Sequence, residues 1–199
     1  MKAEGLQLMN LMLREKKTSR NGALKVLNHA LTGTDVFAFA NCIKFVDVLG
    51  LRTIFPLFMK TPKKQRRKGV SVEQHEEHVV SIVASLLKNC KGTQKQRILT
   101  KFTESDHEKV ERLMELHFKY VDQVAITEER LRTSSEEMDE DEIYLERLNG
   151  GLYVLQLIGK SNFWFKTSLL DGNFLKVSWS SVLLTRVVLL LNGFSRVRK

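Results

Sequence analysis

Proline is nearly absent from this chain, with two residues in 199 beside eleven glycines. Long stretches therefore run without a breaker, and the leucine-, lysine- and glutamate-rich segments favour helix over strand. Cysteine is equally sparse. Cys42 and Cys90 stand without any CxxC or Cys/His spacing, which argues against a zinc module or a disulfide framework and fits a reducing compartment. A continuous apolar run is also missing from the start, where Glu4, Gln7 and Asn10 interrupt the pattern unlike the core of a secretory signal. Residues 174 to 191 are apolar but are broken by Lys176 and Arg186 and diluted by Ser178, Ser180 and Ser181. A charge at the centre of a membrane helix costs roughly 2.5 to 3.5 kcal/mol, so no membrane span is expected. No constellation of nucleophile, base and carboxylate is apparent, so neither an enzyme nor a bound cofactor is expected.

What is present is helical periodicity. Leu6, Met9 and Leu13 share one helical face that Leu8, Leu11 and Met12 widen, and Ser19 reads as the N-cap of a second helix running to Thr32 and Gly33. A short helix begins at Asn41, Gly50 punctuates it, and another starts near Thr53, which keeps Pro56 close to a first turn. Ser71 with Gln74 forms a capping-box signature ahead of Val79, Ile82, Val83, Leu86 and Leu87. Thr93 with Gln96 and Ser105 with Glu108 repeat that signature, predicting three successive helices. Gly150 and Gly151 cost a helix about 1 kcal/mol each against alanine, so the last periodic segment needs tertiary support.

Short helices joined by short loops, each too apolar to stand alone, predict stacked helical hairpins, although no clean sequence period appears and a compact bundle remains open on pattern alone. The expected organisation is helical repeats over 1–126, an exposed acidic linker over 127–142, a further repeat helix over 143–158, and a basic, apolar, poorly folding tail over 159–199. The net charge of +9 supports this division, because residues 160 to 199 carry a net of +6 and the remainder only +3. The linker assignment rests on nine acids, counting Glu146, in a polar stretch that either binds a basic peptide or stays solvated.

Several strings are distinctive: LMLREKK from Leu11, ALKVLNHA from Ala23, KFVDVLGLRTIFPLFMKTPKK from Lys44, QHEEHV from Gln74, RLMELHFKY from Arg112 and YLERLNGGLYVLQ from Tyr144. In this order, from about Ala3 to Gln156, the chain resembles the C-terminal part of the β-catenin-like family of nuclear armadillo-type repeat proteins. The resemblance implies an all-α, armadillo/HEAT-like α-solenoid fragment with an irregular C-terminal tail. It also implies a non-catalytic scaffold of the spliceosome-associated Prp-nineteen complex, located in the nucleus and acting in pre-mRNA splicing. Its implied partners are splicing-complex proteins, including the Myb-related subunit, and, in vertebrates, activation-induced cytidine deaminase. These contacts cannot be assigned residue by residue, since the family's partner groove draws mainly on earlier repeats. After Gln156 the sequence departs from the family.

One candidate site stands out. Lys60, Lys63, Lys64, Arg66, Arg67 and Lys68 place six positive charges in nine residues without an acid. Such a loop suits the acidic pockets of nuclear import receptors or the phosphates of RNA, which makes a helical RNA-binding module the alternative function. No aromatic residue interleaves the run, so bases have no stacking platform and nucleic-acid contact is expected to be indirect or weak. His75 and His78 flank Glu76 and Glu77, but HEEH lacks the i, i+4 spacing of a helical zinc pair and reads as a solvated helix start. His117 reads as a core or boundary histidine.

Overall fold

The computed structural model describes residues 3–15, 19–33, 36–60, 71–134 and 138–170. Among these residues every regular element is helical. They fall into two compact units, Met1–Lys109 and Val110–Lys199.

The first unit contains α1 (Ala3–Arg14), α2 (Arg20–Thr32), α3 (Val36–Asp47), α4 (Leu51–Met59), α5 (Val72–Asn89) and α6 (Gly92–Thr103), followed by a single 3₁₀ turn, Ser105–His107. Helix α5 is central, packing against α2, α3, α4 and α6. Its central position follows from its sequence: Val79, Val80, Ile82, Val83, Leu86 and Leu87 are all buried, an apolar surface too broad for one neighbour to cover. Helix α2 answers with Leu24, Leu27 and Leu31, spaced to lie on one face. Under α4 and α6, Phe55, Phe58 and Phe102 meet edge to face with centroids 5.4 to 6.4 Å apart.

Polar side chains stitch neighbouring helices by bonding carbonyls at or near helix C-termini, which lack intrahelical partners. Arg20 Nε donates to the Leu13 carbonyl at 3.0 Å, Asn41 Nδ2 to the Ala30 carbonyl at 3.0 Å, and Asn10 Nδ2 to the Val48 carbonyl at 3.0 Å. Asn10 and Asn41 are buried.

The turn from α3 to α4 differs in register from the expectation. Gly50 N–H donates to the Phe45 carbonyl at 2.9 Å and Leu49 N–H to the Val46 carbonyl at 3.2 Å, the bonding of a Schellman motif. Its left-handed position is Leu49, at φ 61°, and not the glycine beside it. Gly50 serves a different purpose: a Cβ there would lie 2.5 Å from the buried Phe45 ring. Helix α4 starts at Leu51 rather than near Thr53, which puts Pro56 inside the helix. Pro56 and Arg52 are both exposed, so the carbonyl deprived of a partner sits on the solvent side.

The cap expectations divide. Ser71 and Gln74 form the reciprocal capping box, with bonds of 3.1 and 3.2 Å. Thr93 does not cap α6, which begins one residue earlier behind Lys91. Ser19 makes no side-chain cap bond. Ser105 lies within the 3₁₀ turn at φ 55°, outside the extended region an N-cap requires.

The second unit holds the greater part of α7 (Glu108–Thr133), then α8 (Glu140–Arg147), a π turn (Leu148–Leu152) and α9 (Tyr153–Leu170). The assignment of 127–142 to an acidic linker is corrected: α7 continues through Thr133 and α8 begins at Glu140. Several of the described acids are engaged by partners. Glu128 takes two bonds from Arg147, at 2.7 and 3.0 Å, Glu146 pairs with Arg130, and Asp139 with Glu142 forms a second capping box at 2.7 and 3.2 Å. The boundary at 126 is likewise replaced by one at Lys109–Val110, within the first turn of α7. The tail boundary at 159 also moves, because α9 extends to Leu170 with Ser161 buried and its hydroxyl donating to the Leu157 carbonyl at 2.9 Å. The remainder of the expected tail lies outside the described residues.

The glycine pair explains how this hairpin closes. Gly151 adopts φ 108°, and a Cβ there would meet Tyr120 Cδ1 at 2.9 Å; one at Gly150 would run into the Thr127 side chain. The glycines thus admit Tyr120 and Thr127 against the backbone of the π turn, which is the tertiary support the sequence demands.

Candidate interaction surfaces

Of the basic loop only Lys60 is described; it is exposed and extended at φ −129°, ending α4. Lys63, Lys64, Arg66, Arg67 and Lys68 lie outside the described residues.

The HEEH segment is not a solvated helix start. His75 and Glu76 are each only 5 % exposed because the first turns of α5 lie against α2. His78 Nδ1 and Asn28 Nδ2 are 3.1 Å apart across that seam, while His75 Nε2 is enclosed without a hydrogen-bond partner. Burial pushes the His75 imidazole below its ordinary 6.5, Arg20 and His78 reinforce the shift, and Glu76 opposes it. His78 is lowered by burial, then by His29 and Lys25. Both imidazoles therefore favour the neutral form. Among the described residues no group of three or more His, Cys, Asp and Glu side chains is placed to hold a metal ion.

Neither cysteine is disposed to react. Burial pushes Cys42 up to about 11 and Cys90 up to about 12, and only a thiolate is a strong nucleophile. Cys42 donates to the Leu31 carbonyl at 3.3 Å, behaving as a small core residue. His117 is buried with its ring edge-on to Phe118 at 5.6 Å, and burial lowers its pKa.

The features best suited to recognition are apolar side chains left outside the core. On α3, Val36 is 80 % exposed and Phe37 71 %, with Phe39 partly covered. On α1, Leu8 and Leu11 point outward one helical turn apart. In the second unit Phe118, Ile126, Tyr144 and Leu145 are exposed. Leu8 and Leu11, which widen the apolar face of α1, thus remain exposed, and no periodicity in the sequence marks Phe37. A long apolar helix looks the same whether one of its faces is covered or two. No helix among the described residues is long and apolar enough to cross a membrane.

Known proteins resolve the kinship. The family model described as catenin-beta-like, Arm-motif containing nuclear, matches residues 1–161. The chain belongs to this family. β-Catenin-like protein 1 of Bos taurus is 56% identical over 168 residues, covering 79% of this chain and 30% of that protein. The Homo sapiens protein is 55% identical over the same shares. The Schizosaccharomyces pombe homolog is 31% identical over 161 residues, covering 78% of this chain and 27% of its own. The chain thus spans about 30% of the length of the mammalian relatives. Family membership and the helical architecture agree with the expected all-α, armadillo-type fragment, and the matched region reaches slightly beyond Gln156. An Arm-motif family of nuclear description supports a protein-interaction role and a nuclear setting.

Proposed function

We propose that this chain is part of a non-catalytic interaction scaffold in the nucleus, acting in pre-mRNA splicing within the spliceosome-associated Prp-nineteen complex. The observation that carries the reading is a layer of well-packed helices, belonging to an Arm-motif family, that still presents Val36, Phe37 and Phe39 outward. Helical repeats bury one another's faces and leave the side chains between stacking surfaces to bind partners. The partners proposed are splicing-complex proteins, including a Myb-related subunit, with activation-induced cytidine deaminase as a further partner in a vertebrate setting. Nuclear entry is assigned to the basic loop, Lys60, Lys63, Lys64, Arg66, Arg67 and Lys68, whose charge density suits acidic receptor pockets.

Affinity purification of the tagged chain with and without nuclease tests the assignment. A scaffold retains splicing proteins after nuclease treatment. Their loss on digestion, together with direct RNA retention, replaces it with the RNA-binding module. Neutralising Lys63, Lys64, Arg66 and Arg67 is expected to abolish nuclear enrichment of the tagged chain, and unchanged enrichment removes the targeting role.

A further inference from the structure

The junction of α6 and α7 carries an unusual backbone. Ser105, Asp106 and His107 follow one another at φ 55°, 51° and 64°, and none is glycine. In that region the Cβ crowds the following carbonyl oxygen, so each residue bears a steric penalty. Immediately before them Glu104 is clamped: Lys101 Nζ lies 2.9 and 3.0 Å from its two oxygens, and Lys109 Nζ lies 3.3 Å from one. Lys109 is only 5 % exposed and also reaches Glu108 at 3.0 Å. Burial works upward on the Glu104 carboxyl, but the bonds from Lys101 and Lys109 outweigh it and hold the pKa below the ordinary 4.5.

Ser105 is exposed at this junction. Acids stand directly before it at Glu104, directly after it at Asp106, and three residues on at Glu108. A kinase whose substrate groove is lined by arginine and lysine selects such a pattern, through charge-assisted bonds to carboxylates beyond the acceptor. We propose that Ser105 is a phosphorylation site for an acid-directed serine kinase, and that its phosphate takes over Lys101 and Lys109 from Glu104. Kinases hold their substrates extended, so a folded acceptor must first unwind. Here unwinding relieves three unfavourable backbone conformations, which offsets part of its cost.

In the transfer, Ser105 Oγ attacks the γ-phosphorus of ATP, its proton passes to the kinase's aspartate, and the bond to the β,γ-bridging oxygen breaks to release ADP. The product carries close to two negative charges beside a lysine-held carboxylate and within one turn of the α7 N-terminus, where the helix dipole favours an anion. The stronger anion displaces the weaker one from the two ammonium groups.

The full native chain, incubated with an acid-directed serine kinase and magnesium ATP, is mapped by phosphopeptide mass spectrometry. Phosphate is expected on Ser105, is lost from that peptide in Ser105→Ala, and forms at least tenfold more slowly in the Asp106→Asn, Glu108→Gln variant. An unmodified Ser105 in the native chain, in a reaction where an unfolded peptide of residues 99–112 is phosphorylated, overturns the site. Equal rates with and without the two acids overturn the kinase class. NMR of the Lys101 and Lys109 ammonium groups reads the second half of the proposal: through-hydrogen-bond coupling to phosphorus appears on phosphorylation if the lysines change partner, and ammonium groups that stay bonded to the Glu104 carboxylate overturn the exchange.

Discussion

Both units bury apolar side chains, but they differ in what closes the contacts between their helices. In the first, the elements share a continuous apolar core in which α5 is surrounded and Phe55, Phe58 and Phe102 interlock. In the second, α7 meets the α8–α9 arm where glycine removes a side chain and where arginines reach glutamates, as at Gly150, Gly151, Arg147–Glu128 and Arg130–Glu146. Apolar burial is non-directional and tolerates adjustment, whereas a backbone contact against Tyr120 admits one geometry. The first unit should therefore lose stability in proportion to removed volume, and the second in response to added volume.

Phe102→Ala is the sharpest probe of the first unit. Emptying the aromatic cluster should cost about 3 to 5 kcal/mol, read as faster amide exchange in α4, α5 and α6. A loss below 1 kcal/mol would show that the cluster is peripheral. For the second unit the matching probe is Gly151→Ala, which adds one methyl group. Left-handed strain at φ 108° together with the approach to Tyr120 should cost about 3 kcal/mol, read in exchange of α7 and α9 amides. If Gly151→Ala were neutral, the contrast between the units would fail.

A smaller effect of opposite sign is expected at the α3 turn. Leu49 is 47 % exposed and occupies the left-handed position that glycine ordinarily fills. Leu49→Gly should stabilise the first unit by about 1 kcal/mol, seen as a rise in its unfolding midpoint.

The mildest test is pH. His75 and His78 in the first unit, and His117 in the second, have folded pKa values below the ordinary 6.5. As pH falls below 6.5 the unfolded chain takes up protons that the folded chain refuses, so the stability these groups contribute is present above 6.5 and is lost on acidification. Arg20, Lys25 and His29 of α2 face His75 and His78 of α5 and steepen the loss there, while Glu76, beside His75 on α5, opposes it. Glu77, raised by burial, works against this trend from 4.5 upward. Divided by the base-catalysed intrinsic rate, which itself falls with pH, exchange in α2 and α5 should accelerate between pH 6.5 and 5.5 more than exchange in α9. Equal acceleration would remove the distinction.

Much of the fold was legible in the residues. The capping box at Ser71 and the run from Val79 to Leu87 specify α5 without ambiguity, because cap and periodicity agree. The region 127–142 misled because acid-rich composition describes a solvated helix as well as a linker; what separates them is Arg130 and Arg147 facing Glu146 and Glu128 across a hairpin. His75 misled for a related reason, since polar residues at a helix start are usually solvated and only the position of α2 buries these. The exposed apolar set on α3 left no trace in periodicity, as an apolar residue carries no mark of whether a neighbour covers it.

By itself the sequence determined that this chain is helical, where its clearest helix begins, and to which family it is kin, because these rest on backbone preference, local caps and distinctive strings. Only the tertiary structure decided that the glycine pair receives Tyr120 and Thr127, that Leu49 rather than Gly50 turns the chain, and that Glu104 is held between two lysines. Each of these depends on which atoms meet across the fold, and residues far apart in sequence, or a single φ angle, settle that only once the helices have packed.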